Sequence, residues 1–224
     1  MGDFDKRVAD VLANAERYHS AYYAAEIFRG PSLYFHRRSL ETRSDPTSHT
    51  HLECIYATLA SWGMHRMGKG GSKMRPFEEF RESAEAVQPE IRAAQRLDYR
   101  CMREADWGIL EKIFRSIKVM TSRTSLVGHS KVMAHMAPNI VPPIDREYTL
   151  RYLRGTTNIR NNLSGEWAEM RRIISDFFIP VAMDMRFERR ATQWMADPER
   201  FPWDTSLLKV IDNLVIGARK ALVG

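Results

Sequence analysis

The sequence predicts an all-α fold, and three observations support that class. Apolar residues recur at intervals of three and four along most of the chain, which is the period of a helix with one buried face. No segment shows the alternation of apolar and polar residues that is typical of a half-buried strand. Hydrophobic residues form 44% of the 224 residues, which is enough for a sizeable core. We therefore expect a compact bundle of about nine to eleven helices.

The domain organisation follows from the lack of any obvious linker. We find no Gly/Ser tract, no proline-rich stretch and no internal repeat in the sequence. A chain of this length fits one large domain. We predict a single helical domain over residues 1–224, with two closely packed lobes as the alternative.

Glycines and prolines divide the first part of the chain into helices. Residues 4–28 form the first predicted helix, since apolar side chains recur on one face. Gly30 ends it, and Pro31, which suits a first helical turn, starts a second helix that runs through Leu40. A third helix is predicted over residues 50–62, where five large apolar side chains share a face.

The clearest amphipathic pattern in the sequence covers residues 105–119. Before it, Pro76 starts a helix through Val87, and Pro89 begins another. The remaining predicted helices, in chain order, are residues 130–138, residues 145–153, a long helix capped by Ser164 and kinked at Pro180, and a last helix capped by Asp204 or Thr205 that ends near Leu222.

Charge and cysteine content narrow the functional classes. The formal net charge of +6 and the pI of about 9.4 are compatible with a polyanionic partner, although a solvated basic surface would explain them as well. Cys54 and Cys101 lack a CxxC spacing, which favours a reducing compartment, and the N-terminus has no apolar run typical of a signal peptide. We therefore expect a soluble cytoplasmic protein with no membrane span and no membrane partner.

Several catalytic motifs are missing from the sequence. It contains no GxSxG nucleophile elbow and no GxxxxGK[ST] phosphate-binding loop. The histidines lack the spacing of a zinc site, and no cysteine cluster for iron and sulfur is present. We predict neither a metal site nor a cofactor.

The most informative segment begins at Leu126 with the letters LVGHSKVMAHMAP. A tight turn at Gly128, followed by a helix that starts at Ser130, would give two helices joined by a hairpin. Backbone N–H groups at such a turn can hold a phosphate oxygen. Lys131 lies in the first turn, where a lysine opposes the helix dipole and would be useful to a bound anion.

A carboxylate follows this segment at Asp145. Pro142 and Pro143 stiffen the chain before it, and a helix is predicted to begin after it. An aspartate at a helix start is commonly a cap for its own helix. The alternative is a rigidly presented catalytic acid, and the hairpin upstream favours this second interpretation.

The segment resembles the helix-hairpin-helix superfamily of DNA glycosylases. Those enzymes carry a pattern close to L-P-G-V-G-x-K-T-A, an apolar helix, and then V-D-x-H-V-x-R, while this chain has L-V-G-H-S-K-V-M-A and later I-D-R-E-Y-T-L-R. Ser130 replaces the second glycine, and Lys131 lies about one residue from the usual lysine. The resemblance implies a helix-hairpin-helix element, with residues 105–153 as the hairpin and catalytic segment.

The resemblance also implies a mechanism and a set of site residues. Asp145 would stabilise the positive charge that develops on the sugar as the base leaves, and it would activate water. Gly128, His129, Ser130 and Lys131 would contact the DNA backbone. Lys131 is either a Schiff-base nucleophile or a cation that positions phosphate, and its register favours the cation, hence an enzyme without strand-nicking activity.

A flipped base leaves a gap in double-stranded DNA that a wedge side chain fills. The glycine-rich basic loop after residues 50–62 is a candidate for this role. Met64 or His65 would act as the wedge, and Arg66, Lys69 and Lys73 would contact phosphates. A plain surface loop with a buried Trp62 is the alternative interpretation.

Three functions remain open from the sequence. The first is a monomeric DNA glycosylase that excises a damaged base, or a hypermodified phage base such as glucosylated hydroxymethylcytosine, in repair or in antiviral defence. The second is a non-catalytic DNA-binding module that uses the same hairpin. The third is a helical protein-interaction domain whose basic charge is incidental.

Overall fold

The computed structural model describes residues 3–25, 30–65, 67–68, 71–122, 124–160 and 162–221. Helices dominate these residues, so the predicted all-α class is confirmed. Within them, the strands are a two-residue antiparallel pair, β1 (Met67–Gly68) and β2 (Gly71–Ser72). Strands of two residues are too short to show an alternation of apolar and polar residues in the sequence.

Thirteen α-helical segments occur in the described part of the chain. They are α1 (Asp3–Ala13), α2 (Ala15–Ala25), α3 (Pro31–Thr42), α4 (His49–Ser61), α5 (Phe77–Glu85), α6 (Gln88–Ala94), α7 (Glu104–Ser116), α8 (Leu126–Met136), α9 (Arg151–Arg154), α10 (Leu163–Ile173), α11 (Ile179–Ala182), α12 (Met185–Met195) and α13 (Leu207–Ala221). A 3-10 turn covers Tyr99–Cys101, and π-helical turns cover Arg146–Leu150 and Ile174–Phe178.

Two of the predicted helices are interrupted, which is the main reason why the number exceeds expectation. Residues 4–28 divide at Asn14, whose side-chain amide donates to the carbonyl oxygen of Asp10 at 2.9 Å and so competes with the backbone. The long helix after residue 162 widens into the π-helical turn directly before Pro180, as expected where proline removes a backbone donor.

Two expected helix caps are wrong by one or two residues. Ser164 lies inside α10, and the side-chain oxygen of Asn162 instead accepts from the N–H of Gly165 at 2.6 Å. The hydroxyl of Ser206, next to the predicted Thr205, accepts from the N–H of Lys209 at the start of α13. Asparagine and serine are both common capping residues. The expected residue type was therefore correct, and only its position in the sequence was wrong.

The chain divides into two compact units. Unit 1 comprises Met1–Phe28, Pro142–Asn158 and Glu169–Gly224, and unit 2 comprises Arg29–Val141 and Ile159–Ala168. Within the described residues, none of the helices has the length and hydrophobicity to span a bilayer.

The core of unit 1 forms where α13 packs against α2. The two backbones approach so closely at Gly217 that a Cβ atom there would overlap the carbonyl oxygen of Tyr18. Phe177 and Phe178 of the π-helical turn are fully buried in this unit. Only glycine permits the approach between these helices.

The core of unit 2 contains one face each of α4 and α7. The amphipathic pattern predicted for residues 105–119 corresponds to α7, whose Leu110, Ile113 and Phe114 are buried. Pro31 is the first residue of α3, as predicted, and α3 packs against α4. Amphipathic periodicity therefore located α4 and α7 in this unit.

Candidate functional site

The turn expected at Gly128 does not form. Helix α8 begins at Leu126, so Gly128 and Ser130 lie inside it, and the segment that joins α7 to α8 is residues 117–125. A Cβ atom at position 128 would lie 2.5 Å from Cγ of Met120, so this glycine permits close packing and does not mark a turn. The prediction of a hairpin at residues 128–130 is wrong.

A carboxylate from elsewhere in unit 2 explains where α8 begins. Glu166, which is 1% exposed, accepts hydrogen bonds from the N–H groups of Ser125 at 2.6 Å and Leu126 at 2.5 Å. A helix start attracts anions because its first N–H groups lack helical partners. Here the protein's own glutamate binds the amides of the helix start, whereas the sequence indicated a phosphate at a helix start near Gly128 and Ser130.

Three of the expected DNA contacts are buried within unit 2 as a result. Gly128, His129 and Ser130 all lie in the interior of the unit. His129 Nδ1 donates to the carbonyl oxygen of Phe114 at 2.7 Å, and burial lowers the pKa of this histidine to about 4. These residues therefore pack α8 against α7 and do not present a DNA-contacting turn.

Lys131 lies on the part of α8 that reaches the surface of unit 2. It is half-buried, and its Nζ lies 5.4 Å from the centroid of the Trp62 ring. A cation over an indole face is attracted by the negative face of the ring. The structure thus places the predicted Lys131 beside Trp62, which was not among the predicted site residues.

A buried pair of imidazoles lies beside Trp62. His135 Nδ1 contacts the carbonyl oxygen of Lys131 at 2.6 Å, and His135 Nε2 lies 2.9 Å from His36 Nδ1. Because the carbonyl can only accept, His135 carries its proton on Nδ1 when neutral, so His36 Nδ1 donates to His135 Nε2. The exposed fractions are 4% for His36 and 1% for His135.

Trp62 completes this cluster at the end of α4. Its backbone N–H donates to the carbonyl of Thr58 at 2.9 Å, and Gly63 then turns the chain with a φ of 77°. The indole centroid lies 5.4 Å from the ring of His135 and 6.0 Å from that of His36. We call Trp62, Lys131, His36 and His135 the Trp62 cluster.

The expected wedge residues follow directly after Trp62. Met64 donates its N–H to the carbonyl of Leu59 at 3.1 Å, and the exposed His65 bonds through Nδ1 to the carbonyl of Ala60 at 2.6 Å. Both residues are thus held against the end of α4. Lys73 is exposed, and Arg66 and Lys69 lie outside the described residues.

Asp145 belongs to unit 1, where it caps the π-helical turn that begins at Arg146. Its Oδ1 accepts from the N–H groups of Glu147 at 2.9 Å and Tyr148 at 3.4 Å, while its own N–H donates to Thr149 Oγ1 at 3.0 Å. The residue is half-buried and follows the buried Pro142 and Pro143. The structural role of a cap is therefore real, and it holds the carboxylate in one orientation.

Unit 1 contains a second aspartate with nearly the same setting. Asp184 caps α12, and its Oδ1 accepts from the N–H groups of Arg186 at 3.0 Å and Phe187 at 2.8 Å. It is also half-buried. Asp184 is thus a matched control for any role of Asp145 beyond capping.

A buried polar network in unit 1 was not predicted. His19 Nε2 lies 2.7 Å from Asp204 Oδ2, and Asn213 donates to Asp204 Oδ1 at 2.7 Å. Lys209 donates to Asp212 at 2.7 Å and also bonds to the side-chain oxygen of Asn213. All five residues are less than a tenth exposed, and this network accounts for Asp212 and Asn213 on α13. We call it the His19 network.

Neither a metal centre nor a match to a known protein accompanies the candidate site in the described residues. In the part of the chain that the structure describes, no three His, Cys, Asp or Glu side chains come together as metal ligands. No protein-family model matches this chain, and neither a curated protein nor a solved structure matches it.

Proposed function

We propose that this protein is a DNA N-glycosylase in which Asp145 is the catalytic carboxylate. The observation that carries the proposal is the setting of Asp145: a half-buried acid, held by two backbone amides on one oxygen and presented after two prolines. The resemblance of the segment from Leu126 to Arg151 to helix-hairpin-helix glycosylases supports the same assignment.

The reaction is a hydrolysis. The bond between C1′ of the sugar and the nitrogen of the base breaks, and its electron pair leaves with the base. A fixed carboxylate stabilises the positive charge on the sugar and takes a proton from the water whose oxygen bonds to C1′. The departing base takes a proton from solvent and Asp145 returns its proton to solvent, so an abasic site and a free neutral base are the products.

Lys131 acts as a cation in this proposal. Its contact with the face of Trp62 is one that an ammonium group makes, in agreement with an enzyme that does not nick the strand. The net charge of +6 supports double-stranded DNA as the partner. We further propose a cytoplasmic monomer whose substrate is a damaged or hypermodified base.

The non-catalytic alternative depended on backbone amides at a hairpin between residues 128 and 130. Because α8 includes these residues and Glu166 accepts from the amides of Ser125 and Leu126, that binding device loses its support. The glycosylase loses the same residues as its DNA contact, and what supports it over the binding module is the fixed carboxylate of Asp145. The glycosylase is therefore the function that we favour.

The test is the pair of variants Asp145→Asn and Asp184→Asn. Asparagine caps a helix about as well as aspartate, so both variants should fold. We expect Asp145→Asn to lower base release by about 10²-fold or more and Asp184→Asn to leave it unchanged. Free base from a panel of oxidised, alkylated, deaminated and glucosylated duplex DNAs is measured by mass spectrometry.

Two results would contradict the proposal. Full activity of Asp145→Asn on a substrate that the unaltered protein cleaves would remove Asp145 from the mechanism. Salt-dependent DNA binding without release of any base from the whole panel would favour the binding module.

A further inference from the structure

We propose that Trp62 and Lys131 form a stacking platform for an unpaired nucleotide, with His36 and His135 as its positioning residues. The proposal deepens the glycosylase function and rests on it for the source of that nucleotide, since a base must leave the helix before excision. The platform lies entirely within unit 2 and does not involve Asp145.

Trp62 has the properties of a prepared stacking surface. It is half-buried, while most of the large apolar side chains of α4 are fully buried. The backbone hydrogen bond to Thr58 fixes the main chain of Trp62, and the rings of His36 and His135 limit how the indole can turn. A ring held in advance loses little conformational entropy when a base stacks on it.

The ligand class follows from the combination of an aromatic face with a cation. Stacking on an aromatic ring suits every base, because every base has a π face. The ammonium group of Lys131 lies over the same ring, so a base that stacks on that face displaces it toward the phosphate that accompanies each base. A nucleotide satisfies both groups, whereas a purely apolar ligand or a simple anion satisfies only one of them.

The imidazole pair holds the platform in place. The hydrogen bond from His135 Nδ1 to the carbonyl of Lys131 joins the imidazole pair to the backbone of the lysine. The hydrogen bond from His36 Nδ1 to His135 Nε2 joins α3 to α8. Because both rings are almost fully buried, removal of an acceptor leaves a buried N–H without its bond. We therefore assign the two histidines as positioning residues.

Binding of a fluorescent single-stranded oligonucleotide of about ten nucleotides, followed by anisotropy at low salt, tests the platform. Trp62→Ala should weaken binding about 10-fold or more, and Trp62→Phe, which keeps an aromatic ring, about 3-fold or less. Trp194→Ala is the matched control, since Trp194 is a half-buried tryptophan beside a histidine in unit 1. It should leave the Kd within about 2-fold.

Lys131 and His135 are tested separately with the same oligonucleotide. The association constant falls with salt, and Lys131→Met should make the slope of log K against log salt less steep by about 0.7, the value for one phosphate contact on a single strand. His135→Asn can still donate to the carbonyl of Lys131 but cannot accept from His36, whereas His135→Gln keeps an acceptor near the position of Nε2. We expect weaker binding for Asn and its rescue by Gln.

The platform is refuted if Trp62→Ala and Trp194→Ala weaken binding equally, or if the unaltered protein does not bind the oligonucleotide. Should Trp62→Ala fail to fold, Lys131→Met decides, and an unchanged salt slope for that variant refutes the platform. Base release is scored independently with Asp145→Asn. If base is released and Trp62→Ala binds the oligonucleotide as well as the unaltered protein, only the platform is refuted. If Trp62→Ala weakens binding as expected but no base is released, only the glycosylase is refuted.

Discussion

Each unit packs an imidazole against a tryptophan, and the two arrangements differ in what anchors the imidazole. In unit 1, His19 stacks on Trp194 with the ring centroids 3.8 Å apart and the planes 5° from parallel, and Asp204 binds its Nε2. In unit 2, His135 is tilted by 45° to Trp62, and its partners are a backbone carbonyl and another imidazole.

The difference separates a structural network from a candidate site. In the His19 network, charged and polar partners meet one another below the surface, which ties α13 to α2. The Trp62 cluster combines two buried imidazoles with a half-buried indole and a half-buried lysine. Closed polar networks, whose members are all buried, contribute to the stability and specificity of the fold, while a cluster with two half-buried members has side chains that a ligand can reach.

The largest effect is expected where the closed network is broken. Asp212→Ala leaves the buried ammonium of Lys209 without its carboxylate and should lower the free energy of unfolding by about 3–5 kcal/mol. Glu41→Ala is the matched control, because Glu41 and Arg38 have the same i,i+3 spacing on an exposed surface of unit 2. That variant should lose no more than about 0.5 kcal/mol. Urea unfolding measures both.

Similar losses for the two variants would show that the His19 network is not a stabilising closed unit. The comparison between the two units would then lose its basis. A large loss for Asp212→Ala with an unchanged m-value would show that the native fold lost stability without a change in the surface exposed on unfolding.

A smaller effect is expected at the glycine of the contact between α13 and α2. Gly217→Ala places a methyl group against the backbone of Tyr18 and should cost about 1–3 kcal/mol as the helices separate. Gly108→Ala on the exposed face of α7 meets no atom within 4 Å and should instead stabilise unit 2 by about 0.5–1 kcal/mol. Thermal unfolding measures both, and a stabilised Gly217→Ala would contradict the close approach.

Acid should act on unit 2 through two buried histidines whose partners are neutral oxygens. Burial lowers the pKa of both His51 and His129 to about 4. His51 Nδ1 donates to the carbonyl of Ser39 at 2.8 Å, and its Nε2 has no hydrogen-bond partner within the described structure. Protonation of either ring therefore places a charge in the interior, where the cost of burial outweighs the attraction that the Asp45 carboxylate exerts on His51.

The sign of the pH effect follows from these shifts. Between about pH 6.5 and pH 4 the unfolded chain binds protons that the folded protein does not, so stability is complete above pH 6.5 and falls as the pH is lowered. Each histidine contributes a slope of up to about 1.4 kcal/mol per pH unit. His129→Asn, which can still donate to Phe114, should roughly halve the slope in urea titrations, and an unchanged slope would contradict its assignment.

The helices that the sequence located best are those whose signals are local. Pro31 starts α3, and the apolar stripe of α7 was correct within a few residues. At α8 the local signal misled, because Gly128 resembles a breaker while the partner that sets the helix start, Glu166, lies 40 residues from Leu126 along the chain. A prediction from neighbouring residues cannot identify a hydrogen-bond partner at that separation.

The candidate site was predictable to a similar extent. Asp145 was correctly placed at a helix start, since prolines and a capping residue precede that helix. The four-residue spacing of Lys131 and His135 puts them on one face of α8, a signal that would have joined them. His36 lies 99 residues from His135 and had no such signal, and the His19 network spans up to 185 residues.

Glu166 has a consequence for how this protein would meet a polyanion. Its carboxylate balances the positive end of α8 from within, so an approaching strand encounters a helix terminus that is already neutralised. At this helix, attraction toward a polyanion would have to come from side-chain cations, and the number of phosphates they neutralise sets the counterions released on binding. A mobile lysine or arginine can follow a distorted backbone, whereas a row of amides would demand one fixed strand geometry.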